Sequence, residues 1–151
     1  MRIPPTTKRV EESTDEVVNR NIRMQMECRL RHYAEHPAQI DARLSELEEE
    51  WDIERTLEAN ASTLALTGVV LGAALSKKFL LLSAAVLGFL CQHAIQGWCP
   101  PVPILRRLGF RTQTEIEEER YALRLLRGDF ADVLRGGRKT PPEEIIEALS
   151  A

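Results

Sequence analysis

The stretch ANASTLALTGVVLGAALSKKFLLLSAAVLGFLCQHAIQGW, residues 59–98, decides how the chain is read. Ala59 to Ser76 carries no charged side chain, and neither does Phe79 to Leu105 when His93 is counted as neutral. Ser76-Lys77-Lys78 is the break between two apolar segments, Ala59–Leu75 and Phe79–Trp98. The hydrocarbon core of a bilayer takes about 20 apolar residues per helix, with a range of about 17–25. The second segment meets that length. The first meets it narrowly, because Asn60, Ser62, Thr63 and Thr67 dilute it. So short a connection predicts a transmembrane-type helical hairpin. Small residues recur at the spacing of four that lets helices approach closely in lipid: Gly68 and Gly72, then Ala84 and Gly88. These are the expected helix-packing positions, and self-association into a homo-oligomer is the expected state. An apolar core pooled from several copies would hide the same residues away from lipid.

Outward from the hairpin the pattern becomes amphipathic. Residues 1–12 are polar and proline-bearing and read as a flexible tail. Ser13 and Glu16 have capping-box spacing. Val18, Ile22, Met26, Leu30 and Tyr33 then recur at helical intervals, up to His36, since Pro37 disfavours helix in the residue before it. A second helix opens at Pro37, and Ile40, Leu44, Leu47 and Trp51 follow in steps of four and three. With no breaker between Trp51 and Ala59, this helix is expected to run unbroken into the apolar segment. Residues 13–58 are thus read as two amphipathic helices, and 59–112 as the hairpin with a Gly-Trp-Cys-Pro exit. Pro100, Pro101 and Pro103 exclude ordinary helix there. Thr114 and Glu117 form another capping pair, opening an amphipathic helix over 113–130 that stops at Gly128. Residues 131–151 read as a linker around Gly136-Gly137 and a short last helix carrying Ile145, Ile146 and Leu149. No strand pattern occurs, so the expected class is all-α.

Composition bounds the function. The 151 residues suit one domain with tails. A net charge of −3, with no basic stripe interleaved with aromatics, argues against nucleic acid as a partner. Met1-Arg2-Ile3-Pro4-Pro5 does not resemble a signal peptide. Cys28, Cys91 and Cys99 are odd in number and scattered, which suits a reducing compartment. Basic residues flank the hairpin, Lys77 and Lys78 at its turn and Arg55, Arg106, Arg107 and Arg111 at the opposite end. With the long polar tails, this places both termini in the cytoplasm.

Few side chains suggest chemistry. Cys28, His32 and His36 stand at i, i+4 and i+8, a candidate metal-ligand set. His36 falls where the helix should end, so the plainer reading is two surface histidines beside a small apolar cysteine. Cys91 and His93 are two apart and point to different sides of a helix. Cys99 is either a thiol at work or a small side chain packed at a proline turn. Gln92, His93 and Gln96 lie near a membrane boundary, where they can meet headgroups, water or a quinone. Trp98 suits an interface anchor. Glu46 to Glu50 read as a solvated face, and Glu117 to Glu119 as first-turn acids favoured by the helix dipole. There is no phosphate-binding loop, nucleophile elbow or zinc-finger spacing. The expectation is no catalytic residue, no cofactor and no enzyme activity.

Gly97, Trp98, Cys99 and Pro100, followed by Leu105, Leu108, Gly109, Phe110 and Thr112, resemble the closing element of the YgaP-like transmembrane domain family. The resemblance covers roughly residues 56–112. It implies a two-helix hairpin in the bacterial inner membrane. In some members the hairpin follows a rhodanese domain. The first 55 residues here are too short for that fold and lack its cysteine loop, so sulfur transfer does not carry over. The expected function is a non-enzymatic membrane scaffold or anchor that self-associates and docks a cytoplasmic protein partner, a redox complex being one candidate. The alternatives are a small thiol- or sulfur-handling membrane protein using Cys99, and a soluble homo-oligomer enclosing an apolar core or tube.

Overall fold

The computed structural model describes residues 5–131. The expected linker and short helix over 131–151 lie outside the described residues, apart from Ala131. The fold is all-α with an apolar helix pair, and the described residues contain no strand. The helices are α1 (Arg9–Glu12), α2 (Glu16–Glu35), α3 (Ile40–Glu49), α4 (Ile53–Ala74), α5 (Leu80–Gln96), α6 (Val102–Arg107) and α7 (Gln113–Arg127). The chain forms two compact units, one of Met1–Gln25 and Glu50–Ile116, the other of Met26–Glu49 and Glu117–Ala151.

In the first unit, α4 and α5 form an antiparallel hairpin closed by a 3₁₀ turn over Lys77–Phe79. The turn starts at Ser76, whose hydroxyl accepts from the Lys78 amide. Buried positions on α4 are Ile53, Thr56, Leu57, Ala65, Gly68 and Gly72, and those on α5 are Ser83 and His93, with Val86 and Leu90 half-buried between them. The α5 set steps by three and four, the spacing of a helix–helix seam. The seam is built from small residues. A Cβ on Gly68 would lie 2.5 Å from Ser83 Oγ, and one on Gly72 would lie 2.7 Å from Leu80. Ser83 donates to the Ala65 carbonyl at 2.8 Å, a buried hydrogen bond between the helices.

The four expected helix-packing positions divide accordingly. Gly68 and Gly72 close the hairpin on itself. Ala84 and Gly88 take no part in that seam: both are exposed, and a Cβ on Gly88 meets nothing within 4 Å. The register explains this, because Ser83 rather than Ala84 shares the buried face with Val86 and Leu90.

Other boundaries also differ from expectation. The helix from α3 does not run on into α4. Asp52 is extended and caps α4, accepting from the Arg55 amide at 2.6 Å, while the Ile53 amide donates to the Arg111 carbonyl at 2.8 Å. Residues 9–12 are a helical turn with Val10 in the core, not part of a flexible tail. The cap of α2 comes from Asp15, which accepts from the Val17 amide, and Ser13 is used elsewhere. The cap of α7 is Thr112 paired with Glu115, two residues before the expected pair: the Thr112 amide donates to Glu115 Oε2 at 2.8 Å, and the Glu115 amide to Thr112 Oγ1 at 3.3 Å.

In the second unit Ile40, Leu44 and Leu47 of α3 and Leu123 of α7 are buried, with Met26, Leu30 and Tyr33 of α2 half-buried. The apolar stripes expected to need an outside partner are thus partly buried within the chain. Glu119, expected as a first-turn acid, is 0% exposed. It accepts from Arg29 Nη2 at 2.8 Å and from Arg43 Nε at 3.0 Å. Two guanidiniums offset the cost of burying one carboxylate.

The seam makes a direct comparison available. Gly68→Ala should cost about 1–3 kcal/mol by overpacking against Ser83. Gly88→Ala should be neutral or stabilising by about 0.5–1 kcal/mol, since alanine favours helix and the site is open. Thermal unfolding of the two variants, followed by circular dichroism, checks the order; equal costs would contradict the seam.

Candidate functional site at the base of the hairpin

The base is assembled where α5 ends. Gly97 closes that helix in the left-handed conformation, φ +76°, the usual glycine stop. A Cβ there would fall 2.1 Å from the Arg9 carbonyl oxygen, so α1 crosses where no other residue fits. Helix ends leave carbonyls without partners, and the N-terminal segment supplies them. Arg9 Nη1 donates to the Ala94 carbonyl at 3.2 Å, and Ser13 Oγ to the Gln96 carbonyl at 3.0 Å. The Arg9 charge also suits the negative end of the dipole and is held by Glu54 at 2.8 Å.

After Gly97 the chain turns sharply. Trp98 is exposed, and Cys99 is buried with Val10, Ile53, Leu57 and Val102. Pro100 and Pro101 lead into α6. Its end is a Schellman turn at Leu108-Gly109-Phe110, with the Phe110 amide donating to Leu105 and the Gly109 amide to Arg106. Gly109 has φ +94°, Leu108 is exposed, and Leu105 and Phe110 pack against the Cys99 cluster.

Two arginines hold this base from inside. Arg106, 1% exposed, makes a bidentate pair with Glu115 at 2.6 and 2.7 Å and donates to Asn19 Oδ1 at 2.9 Å and the Phe110 carbonyl at 3.1 Å. Arg111 is likewise bidentate to Glu50, at 2.7 and 2.6 Å. Glu50 is therefore not part of a solvated acidic face. Burial alone would raise the Glu115 carboxyl; the Arg106 guanidinium and the Thr112 amide more than offset this and hold it below the usual glutamate range.

Above the base, between α4 and α5, lies a cavity of about 210 Å³. Its wall includes Leu57, Leu64, Val86, Phe89, Leu90 and Cys99, with Pro100 and Pro101 below. Its polar members are Asn60, whose amide donates to the Thr56 carbonyl at 2.9 Å, and His93. His93 is 5% exposed, and its ring nitrogens are buried beside the Gly97 backbone without a well-formed hydrogen bond.

The other candidates line neither the cavity nor the base. Cys28 is exposed, and the His32 and His36 rings stack with centroids 4.4 Å apart. His36 Nδ1 faces the His32 carbonyl at 2.9 Å and His32 Nε2 faces Gln39 Oε1 at 3.2 Å. No group of three or more metal-binding side chains converges among the described residues. Cys91 is exposed on α5, whereas Cys99 is buried. Burial pushes the Cys99 thiol up, opposite to the shift that makes a reactive thiolate. The Gly97–Thr112 residues instead serve as a helix stop, a core plug, a turn and a cap. Arg9, Asn19, Arg106, Arg111 and Glu115 were not legible as site residues. The Thr112-x-x-Glu115 spacing was the one available signal, shadowed by Thr114-x-x-Glu117.

The Glu115 pair ties the base to pH. Because the folded carboxyl lies below the unfolded one, its stabilisation is complete above the usual glutamate range and drains away as pH falls through the lowered value. Glu115→Gln should lower stability near neutral pH by about 2–3 kcal/mol, as the buried Arg106 loses its counter-charge. It should also remove this part of the acid dependence. Denaturant unfolding between about pH 7 and pH 3 measures both.

Comparison with protein-family models, curated proteins and solved structures yields no match.

Proposed function

We propose that this chain is a non-enzymatic membrane anchor, with the α4–α5 hairpin in the bilayer and the base and termini on the cytoplasmic side. The observation that carries the reading is the direction of the hairpin's side chains. Small and polar residues, Gly68, Gly72, Ser83 and His93, face inward. Leu66, Val70, Leu75, Leu81 and Leu87 face outward, Leu81 at 72% exposure. A helix pair at home in water would do the reverse. Two helical stretches are long and apolar enough to cross a membrane, and in their most apolar windows 22% and 11% of residues are buried. Buried core helices of a water-soluble fold would show far more.

Lengths and polar groups support the same reading. Lys77–Gln96 spans 20 residues, about 30 Å at 1.5 Å per residue, close to the roughly 30 Å hydrocarbon core. The side chains that dilute α4 are satisfied within it. Ser62, Thr63 and Thr67 each donate to the carbonyl four residues back, at 2.6, 2.7 and 2.7 Å. Such groups then offer lipid no unpaired donor. The likeness of Gly97–Thr112 to the YgaP-like hairpins points the same way. A hairpin also returns the chain to the side from which it entered, so a base built from both flanks stays on one side. Arg106 and Arg111 are folded into ion pairs, so the size of the folded base supports the cytoplasmic side better than the count of basic residues. A protein partner and self-association complete the anchor reading, with the exposed Ala84–Gly88 face as the place for a second copy.

Expression followed by alkaline carbonate washing of membranes tests this. The protein should stay in the pellet and leave it only with detergent. Leu87→Asp, at about 2.5–3.5 kcal/mol for a charge at mid-membrane, together with Leu81→Asp nearer the turn, should reduce membrane retention severalfold. Wild-type protein that is soluble, or that washes off as one large species, would overturn the anchor in favour of a soluble oligomer with an apolar core.

A further inference from the structure

We propose that the cavity between α4 and α5 holds one acyl chain of a phospholipid from the cytoplasmic leaflet, an assignment that rests on the anchor reading above. It starts from a contrast along the hairpin. Toward the turn, Gly68 and Gly72 bring the helices into contact. Toward the base the helices part around about 210 Å³. Folded chains pack as densely as organic crystals, and voids larger than a water molecule are few. An empty one deprives its wall of contacts, so this one calls for an occupant.

The chemistry of the wall selects hydrocarbon. No lysine, arginine or acid lines the cavity, so a phosphate or a cation has no counter-charge there. Its two polar side chains are engaged or shielded. The Asn60 amide donates to the Thr56 carbonyl, and the His93 ring nitrogens are buried beside the Gly97 backbone. An ordered water needs two to four polar partners, which such a wall does not supply. What it does supply is apolar contact with Leu57, Leu64, Val86, Phe89 and Leu90.

Shape and position select a chain. On α4 the wall runs from Leu57 to Leu64, about 10 Å at 1.5 Å per residue, along a slot between two antiparallel helices. An apolar cavity of about 150 Å³ accepts the six carbons of benzene, so on the same scale this slot takes about eight carbons. Leu64 and Phe89 are 50% and 43% exposed. The slot therefore opens sideways onto the outer surface of the hairpin, which the anchor presents to lipid. Pro100 and Pro101 mark its end at the base. A lipid of the cytoplasmic leaflet enters with its head at the base and its chain directed toward the turn.

The test uses the full chain in nanodiscs of palmitoyl-oleoyl phosphatidylcholine, deuterated except at its leucine and valine methyl groups. Magnetisation transfer from acyl methylene protons is read at Leu57 and Leu87. Leu57 is 4% exposed and lines the cavity, so lipid reaches it only from within; Leu87 is 54% exposed and lines none of it. A chain in the cavity gives transfer to both. Transfer to Leu87 but not to Leu57 would overturn the proposal and leave the anchor standing. Transfer to neither would overturn both. Ala61→Phe, which fills the cavity from the α4 wall, should cut transfer to Leu57 severalfold and leave Leu87 unchanged. Ala85→Phe adds the same bulk at an exposed position outside the cavity and should leave both signals as in the wild type. Transfer to Leu57 that survives Ala61→Phe would contradict the assignment, as would transfer to Leu57 from a protonated second copy in place of lipid. The wild-type comparison stands even if a variant fails to fold.

Discussion

The close approach of α4 and α5 governs the rest of the structure. Gly68 and Gly72 leave no side chain at the crossing, and Ser83 uses the space to donate to the Ala65 carbonyl at 2.8 Å. In lipid, apolar burial gives helices little reason to associate, so contact and hydrogen bonding must hold them. Here both are concentrated on one narrow strip. Because the strip is made of small residues, the bulky ones have nowhere to go but outward. The outward leucines are therefore a consequence of the seam rather than a separate feature.

At its open end the seam loosens into the cavity and then closes again at the base. Closure depends on charge rather than on apolar mass. Arg106 and Arg111 each make two hydrogen bonds to one carboxylate, and Arg9 bridges Glu54 and the last turn of α5. Bidentate pairs of this kind fix orientation as well as distance. Around Cys99 the apolar cluster is small, and the cysteine fills it as a compact hydrophobe. His93 stands between these two regimes, above the last paired groups of the base and among apolar walls.

Much of this was legible from residue patterns. Composition alone located the hairpin, its turn at Ser76–Lys78 and the proline exit, because long uncharged runs have few other solutions. The stripe Val18, Ile22, Met26, Leu30 and Tyr33 is the half-buried face of α2. Register was harder. Ala84–Gly88 repeats the spacing of Gly68–Gly72, and local sequence does not say which small pair meets the partner helix; the choice of Ser83 follows from its hydrogen bond across the hairpin. The break at Asp52 was hidden because aspartate inside a charged helix looks ordinary until Arg111, far along the chain, takes the Ile53 amide. The ion pairs were invisible for the same reason. Arg9 with Glu54 and Arg111 with Glu50 are separated by 45 and 61 residues, and charge counts do not encode such pairings. Glu119 shows the limit most sharply, since an acidic run gives no sign of which member is buried.

What surrounds the hairpin decides the central claim. The direct measurement is spin labelling at Leu66, Leu81 and Leu87 in protein reconstituted into phospholipid vesicles. Collision rates with oxygen, which concentrates in lipid, are compared with those of a water-soluble nickel chelate. A hairpin in the bilayer gives oxygen-favoured relaxation at all three positions. Accessibility to nickel there, or exclusion of both reagents by protein packed against the leucines, would contradict it.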